Sequence, residues 1–170
     1  MSDVAGQDRW LIELGDVTDP ASEALLRRLV VELLERAAGE GASPSPDELE
    51  DGWDRLRRDD LAPPTGVFVV ARRGGEDGPL VGCVGLLRQR GSDRGRSAEL
   101  RHLYVRPAER GTGVAPGLLA SAEEVARVWG ARQVRAVVRD EQVEARSLLV
   151  RNGWRADPAC GDGRLTLELG

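Results

Sequence analysis

Two glycines, Gly111 and Gly113, lie between a predicted strand that ends at Val105 and a predicted helix that begins near Gly113. The first backbone N–H groups of a helix have no acceptor within the helix, and the helix dipole makes that end positive. Glycine also lets a phosphate approach the backbone closely. The segment therefore predicts a cradle for a pyrophosphate, although an ordinary strand-to-helix turn could carry the same glycines.

The spacing of these glycines argues against a dinucleotide-binding fold. That fold requires G-x-G-x-x-G directly after the strand. Here position 116 is proline, and five residues separate Val105 from Gly111. A nucleotide-phosphate binder of another fold stays open, because anion binding at a helix N-terminus does not depend on one particular architecture.

The composition excludes several mechanisms. All 24 residues counted as lysine or arginine are arginines, so neither a Schiff-base lysine nor the lysine of a Walker P-loop is present. His102 is the single histidine, which rules out a two-histidine metal motif, and we predict no metal site. Cys83 and Cys160 lack CxxC spacing and predict neither a disulfide framework nor a zinc site. The net charge of −5 disfavours a nucleic-acid partner.

Length and hydropathy indicate the broad class. The 170 residues are close to the usual size of one domain, so we predict a single domain over residues 1–170. No apolar run reaches the roughly 20 residues of a membrane span, and residues 1–8 lack the features of a signal peptide. We therefore expect a cytoplasmic protein without a membrane partner.

Capping residues and hydrophobic periodicity predict alternating strands and helices. Asp19 is a good N-cap for a first helix that closes at Gly39. Ser45 has capping-box spacing to Glu48 at the start of a second helix, which is expected to end near Asp60. Further helices are predicted over about 113–129 and 141–151, and strands over 10–14, 67–71, 80–87, 98–105, 133–138 and 164–169.

The order strand 98–105, helix 113–129, strand 133–138 predicts a right-handed parallel crossover. Such a crossover places the start of its helix at the carboxyl end of the first strand, where ligands commonly bind in open sheets. The two glycines lie at this position. The other elements read as antiparallel hairpins and flanking helices, so the fold class is α+β.

The segment from Glu99 to Ala115 resembles motif A of the GCN5-related N-acetyltransferase (GNAT) superfamily. The pattern Q/R-x-x-G-x-G/A is matched by Arg110, Gly113 and Ala115, and the preceding YV-x-P also fits. The resemblance implies a mixed, mostly antiparallel central sheet of six or seven strands, flanked by about four helices, with one parallel strand–helix–strand crossover. It also implies an N-acetyltransferase that uses acetyl-CoA as co-substrate.

The resemblance further implies which residues bind the donor. In the superfamily, main-chain groups of the strand contact the pantetheine, which corresponds here to Leu103, Tyr104 and Val105. The amides of the following turn hold the pyrophosphate, which corresponds to Arg110, Gly111, Thr112, Gly113, Val114 and Ala115. Gln142 stands where the family commonly has a donor-binding asparagine.

An amine can attack a thioester only after a base has removed its proton. In several superfamily members a glutamate six residues before the valine takes this role, often through water, which implies Glu99. Strict alternation along the strand would place Glu99 on the face of Val105 and His102 on the other face. His102 is the alternative base, since its ordinary pKa of about 6.5 needs no adjustment. A salt-bridged surface carboxylate is the purely structural alternative for Glu99.

One part of the family pattern is missing. Members commonly have an asparagine, an alanine three residues later, a tyrosine four residues beyond, and then Gly-Phe. The corresponding residues here are Gln142, Ala145, Leu149, Gly153 and Trp154. Because Leu149 replaces the tyrosine that protonates the leaving thiolate, either the thiolate leaves without a protein acid or the domain only binds acyl-CoA.

The acceptor is expected to be a small-molecule amine or a peptide N-terminus. Acceptor contacts in this fold come from the first two helices and their connecting loop. Acidic residues cluster over 40–60, which favours a cationic amine. The same residues could instead form a solvated helix face paired with neighbouring arginines. A homodimer is compatible with the sequence.

Overall fold

The computed structural model describes residues 10–89, 96–156, 158 and 163–170. Residues 1–8, used above to predict the location, and Cys160 lie outside these ranges. The described strands are β1 (Trp10–Gly15), β2 (Gly66–Arg73), β3 (Leu80–Arg88), β4 (Ser97–Val105), β5 (Gln133–Val137), β6 (Arg155–Ala156) and β7 (Arg164–Glu168). The described α-helices are α1 (Pro20–Ala38), α2 (Pro46–Arg55), α3 (Val114–Val128) and α4 (Val143–Arg151).

Local sequence signals determine where the first two helices begin. The Asp19 side chain accepts a backbone hydrogen bond from the first turn of α1 at 3.0 Å. Ser45 and Glu48 form the reciprocal capping box at the start of α2. Helix α2 ends at Arg55, before the predicted end near residue 60, because Arg57 has a left-handed backbone with φ of 49° that an α-helix does not tolerate.

The seven strands form one sheet in the order β1-β2-β3-β4-β5-β7-β6. Neighbouring strands pair antiparallel except β4 and β5, which pair parallel as the crossover predicted. This confirms the predicted fold class. The two-residue strand β6 was not predicted, because so short a segment carries no periodicity.

Strands β4 and β5 separate before β4 ends. Their paired residues run from Ser97 opposite Gln133 to Leu100 opposite Ala136, whereas β4 continues to Val105. The other edge of β4 stays paired with β3 along this stretch. The second half of β4 therefore has one edge without a strand partner in the described part of the chain, and an opening forms between β4 and β5.

Two hydrophobic clusters cover the two faces of the sheet. Leu118 of α3 and Leu149 of α4 belong to the cluster on one face, and Leu25 and Leu26 of α1 and Trp53 of α2 belong to the cluster on the other. Full burial of one such aliphatic side chain contributes about 1.5–3 kcal/mol. The opening between β4 and β5 thus lies between two helical layers that these clusters hold in place.

A β-bulge interrupts β4. Tyr104 pairs with Cys83 and Arg101 pairs with Gly85, so that β4 has one more residue than β3 between these two pairs. Within this interval His102 has a φ of +55°, which is uncommon for a residue other than glycine. The extra residue reverses the inward and outward alternation of side chains along the strand.

The bulge corrects the predicted alternation. Leu100 and Val105 belong to the same hydrophobic cluster although an odd number of positions separates them, so the faces switch between them. Glu99 therefore lies on the face opposite Val105, and the prediction that these two residues share a face was wrong. Strict alternation holds only for an uninterrupted strand, and the sequence around His102 carries no glycine to indicate a bulge.

Candidate functional site

A cavity of about 440 Å³ lies beside the half of β4 that has separated from β5. Its walls come from α1, the end of β4, the turn before α3, and α4. Eight of the residues predicted to bind the donor line it, namely Leu103, Tyr104, Val105, Arg110, Gly111, Gly113, Ala115 and Gln142. The fold thus brings the motif segment and the start of α4 to one cavity.

Five consecutive backbone amides beside this cavity donate no hydrogen bond within the described part of the chain. They belong to Gly111, Thr112, Gly113, Val114 and Ala115. The amide of Arg110, which was predicted to join them, donates to the carbonyl oxygen of Pro107 at 3.3 Å. Free donors at the start of a helix form an anion-binding site.

The backbone path through this turn requires glycine at two positions. Gly111 has a φ of +75° and Gly113 a φ of +98°, in the region that favours glycine. A Cβ atom on Gly113 would lie 3.5 Å from the Trp10 ring, and one on Gly111 would meet no atom within 4 Å. The glycines therefore allow the turn and leave its amides open to the cavity.

The side chain of Arg110 links the turn before α3 to helix α1. Its Nε donates to the carbonyl oxygen of Val105 at 2.9 Å, and its Nη2 donates to both carboxylate oxygens of Glu32, at 2.7 and 2.8 Å. The guanidinium also lies 5.7 Å from the centre of the Tyr104 ring. The motif arginine thus connects the end of β4 with a helix far away in the sequence.

Ion pairs continue from Glu32 to α4. Arg36 donates to Glu32 at 2.8 Å and to Glu144 at 2.8 Å, and all three side chains line the cavity. The sequence predicted acceptor contacts from the first helix but assigned none of its residues to donor binding. The available signal was the i, i+4 pair of Glu32 and Arg36, but a sequence cannot show which helix face a cavity will meet.

Two of the predicted donor-binding residues, Thr112 and Val114, do not line the cavity. The hydroxyl of Thr112 donates to the carbonyl oxygen of Glu109. The side chain of Val114 is buried in the hydrophobic cluster beneath α3. Tyr104 does line the cavity, and burial, followed by the nearby Glu32 carboxylate, raises the pKa of its phenol, so that the phenol is neutral at physiological pH.

The two candidate bases, Glu99 and His102, do not line the cavity. Glu99 accepts hydrogen bonds from Nε of Arg101 at 2.7 Å and from Nε2 of Gln89. Nε2 of His102 lies 3.0 Å from the carbonyl oxygen of Leu56. A carbonyl can only accept, so Nε2 carries the proton and Nδ1 is the basic nitrogen. Burial lowers the pKa of His102, which keeps the ring neutral at pH 7.

Comparison with known proteins now decides the family. The family model described as "Acetyltransferase (GNAT) family" matches residues 27–154, well over half of the chain. The chain belongs to the GNAT family. None of the curated proteins compared with the chain matches it.

Solved structures agree in fold. The PaiA N-acetyltransferase of Thermoplasma acidophilum, solved with coenzyme A, has a TM-score of 0.69 at 17% identity, over 94% of this chain and 99% of that one. The YncA protein of Salmonella typhimurium, solved with its cofactor acetyl-CoA, has a TM-score of 0.63 at 18% identity, over 95% of both chains. A GNAT-family acetyltransferase of Staphylococcus aureus has a TM-score of 0.65 at 14% identity, over 94% and 100%. At these identities the likeness concerns the fold.

The position of the usual GNAT tyrosine is buried in this member. Leu149 is 2% exposed within the hydrophobic cluster beneath α3, whereas Leu148 and Ala145 line the cavity. Gln142, in the place of the family asparagine, lies at the N-terminus of α4, where its Oε1 accepts from the backbone N–H of Arg139 at 3.0 Å. The missing tyrosine is thus replaced by a core residue.

The acidic residues of α2 face solvent. Glu48 serves the capping box, and Glu50 lies 3.9 Å from Arg27. No residue of α2 lines the cavity. This arrangement matches the alternative of a solvated helix face and gives no support to a cationic acceptor.

The described residues contain no cluster of three or more side chains able to hold a metal ion. None of the helices in the described ranges is long and apolar enough to span a bilayer.

Proposed function

We propose that this GNAT protein transfers the acetyl group of acetyl-CoA to a primary amine, either on a small molecule or at a peptide N-terminus. The observation that carries the proposal is the run of free amides from Gly111 to Ala115 at the start of α3. A pyrophosphate offers several acceptor oxygens and negative charge to such a run. The neutral cavity wall formed by Leu29, Leu33 and Leu148 suits the less polar pantetheine.

The free edge of β4 supports the placement of the pantetheine. Its amide groups would pair with main-chain groups of Leu103, Tyr104 and Val105 in the way that an added strand pairs with a sheet edge. Because β5 has already separated from β4 at Leu100, this edge is open at the cavity. The thioester would then lie near the bulge in β4.

The transfer forms a C–N bond and breaks a C–S bond. The amine nitrogen attacks the thioester carbonyl, coenzyme A leaves as a thiolate, and one proton passes from the amine to a base. We propose Glu99 as this base, acting through a water molecule. Arg101 and Gln89 hold its carboxylate in one orientation. A thiol pKa of about 8.5 makes the thiolate a tolerable leaving group near neutral pH.

His102 is the second candidate for the base. Its hydrogen bond to the carbonyl of Leu56 fixes the tautomer with a basic Nδ1.

A single domain over residues 1–170 and a cytoplasmic location stay predictions.

The experiment that tests the proposal is a thiol-release assay with acetyl-CoA and a library of amines and short peptides. Release of coenzyme A that requires an acceptor and yields the N-acetyl product, identified by mass spectrometry, is expected for at least one acceptor. Tight binding of acetyl-CoA without turnover of any acceptor would instead favour a catalytically silent acyl-CoA-binding domain.

Leu149→Tyr should destabilise the protein without increasing its activity. The larger side chain must enter a closely packed cluster and bury a hydroxyl, which costs about 1–3 kcal/mol. Since Leu149 does not line the cavity, we expect kcat to stay within a few-fold of wild type. Urea unfolding and steady-state kinetics measure the two effects, with Leu148→Tyr as the matched variant at the cavity wall. A large rise in kcat at all pH values for Leu149→Tyr would mean that thiolate departure limits turnover.

A further inference from the structure

The helices on the face of Glu99 leave part of the sheet uncovered. Helix α1 packs against β3 and β4 on this face. On β5, Val134 and Ala136 point into the cluster beneath α3, so that Arg135 and Val137 point to the opposite face. Val137 is 59% exposed there. Arg135 and Thr166, on the same face, are partly exposed, so this part of the sheet is accessible beside Glu99.

A row of directly opposed residues crosses this surface. Glu99 of β4 is paired with Arg135 of β5, Arg135 with Thr166 of β7, and Thr166 with Arg155 of β6. Directly opposed residues share a face of the sheet, with strands about 4.8 Å apart. The side chains of Arg135 and Thr166 are therefore neighbours.

Among the described residues, two polar atoms of this row have no hydrogen-bond partner and are themselves buried, although the residues that carry them are partly exposed. They are Nε of Arg135 and Oγ1 of Thr166. A buried polar group without a partner is destabilising, and such groups are rare in folded proteins. Both groups can donate a hydrogen bond, and they belong to directly paired residues. One ligand with two acceptor oxygens would satisfy both.

The charged side chains around Arg135 and Thr166 favour an anionic ligand. The side chains on this face of β4 to β7 with formal charge are Glu99, Arg101, Arg135, Arg155, Arg164 and Glu168. Positive groups outnumber negative ones, and Glu99 is already paired with Arg101 at 2.7 Å. Arg135 forms no ion pair within the described residues. Its guanidinium is suited to bind a carboxylate or phosphate through two parallel hydrogen bonds.

Arg135 and Thr166 lie close to the residue proposed as the base of the transfer reaction. Arg135 is level with Glu99, the proposed base, and lies next to the last residues that join β4 to β5. An amine that approaches from this face would enter the opening between β4 and β5 from the side opposite the α3 layer. The cavity proposed for the donor lies along the same separated half of β4, at Leu103, Tyr104 and Val105.

We propose that Arg135 and Thr166 form an anion subsite that binds a carboxylate or phosphate group of the acceptor, so that the substrate is an amine that also carries an acidic group. This inference rests on the proposed acetyltransferase function.

Matched acceptors test the subsite directly. Glycylglycine and glycylglycine amide differ in the terminal carboxylate, and phosphoethanolamine and ethanolamine differ in the phosphate. For wild type we expect kcat/KM to be about 10- to 100-fold higher for at least one of the acidic acceptors than for its neutral partner, the range expected for charge-assisted hydrogen bonds. The acceptor pair that shows the larger preference for its acidic member tells whether the subsite binds a carboxylate or a phosphate.

Substitutions at Arg135 and Thr166 test whether these residues cause the preference for acidic acceptors. Arg135→Gln and Thr166→Val should remove most of it while kcat/KM for the neutral acceptors changes little. Arg155→Gln is the control, because it removes an exposed arginine from the same row. A preference that survives in Arg135→Gln and Thr166→Val, or neutral acceptors that react as well as acidic ones, would overturn the subsite.

A binding measurement separates the subsite from catalysis. Glycylglycine and phosphoethanolamine, added without coenzyme A, should raise the unfolding temperature of wild type but not of Arg135→Gln. Acetyl-CoA is tested in parallel. If acetyl-CoA fails to bind while the acidic probes still stabilise wild type through Arg135, the proposed function fails and the subsite stands. If neither acidic probe has an effect that depends on Arg135, the subsite is wrong whatever the outcome with acetyl-CoA.

Discussion

Gly113→Asp should raise the dissociation constant of acetyl-CoA by at least about 100-fold. The substitution puts a carboxylate beside the free amides of the turn, where the pyrophosphate is proposed to bind. Two unit charges about 4 Å apart near a protein surface repel by roughly 4 kcal/mol, more than the 2.7 kcal/mol that corresponds to a factor of 100. Isothermal titration calorimetry measures the change.

Two controls separate the charge from the backbone strain at Gly113. Gly113→Asn has nearly the same size and the same unfavourable φ of +98° but no charge, so it should weaken binding much less. Gly130→Asp places an aspartate at another glycine with positive φ, +76° at the end of α3, and should leave acetyl-CoA affinity unchanged. Equal affinities of wild type and Gly113→Asp would contradict the assignment of this turn to the pyrophosphate.

Glu99→Gln should lower kcat by roughly 10² or more, the usual contribution of a general base. Glutamine keeps the shape of the side chain but cannot take a proton. Because Glu99 does not line the cavity, the affinity for acetyl-CoA should change little. Pre-steady-state and steady-state kinetics with one accepted amine, together with titration of acetyl-CoA, measure the two quantities.

Arg101→Gln is the matched control for this variant, because it breaks the Glu99 ion pair and leaves the carboxylate in place. A much smaller loss in Arg101→Gln than in Glu99→Gln would support a chemical role for the carboxylate. Similar losses in both variants would indicate that the ion pair is structural.

The pH dependence distinguishes His102 from Glu99. Burial lowers the pKa of His102 below its ordinary 6.5, so the basic form gains population as pH rises through a value below 6.5. If His102 were the base, kcat/KM would rise over that acidic range, and His102→Asn would abolish the rise and lower kcat more than Glu99→Gln does. Asparagine is chosen because it tolerates the positive φ at this position. Such a result would reject Glu99 as the base.

Much of the fold could be predicted because its signals are local. The caps at Asp19 and Ser45 depend on residues only a few positions away, and the glycine turn before α3 is contiguous in sequence. The parallel crossover follows from the order of three elements. These features carry the part of the site proposed to bind the donor, and eight of the residues predicted for it line the cavity.

The parts that sequence could not predict depend on long-range packing. The bulge at His102 is defined by pairing with β3, and it moved Glu99 to the face opposite Val105. The α1 wall of the cavity follows from ion pairs of Glu32 with Arg110 and Arg36. Only the tertiary arrangement shows that Leu149 is a core residue while its neighbour Leu148 faces the cavity.

The most direct test of the donor site is the unfolding temperature of the protein with acetyl-CoA, coenzyme A, NAD or ATP. Binding at a ligand concentration of 100 times Kd stabilises the folded state by about 2.7 kcal/mol, which raises the unfolding temperature of a domain of this size by roughly 5–10 °C. We predict this rise for acetyl-CoA and coenzyme A, little or none for NAD and ATP, and its loss in Gly113→Asp. Stabilisation by NAD or ATP with no effect of acetyl-CoA would contradict the acetyltransferase account and indicate a nucleotide-phosphate binder.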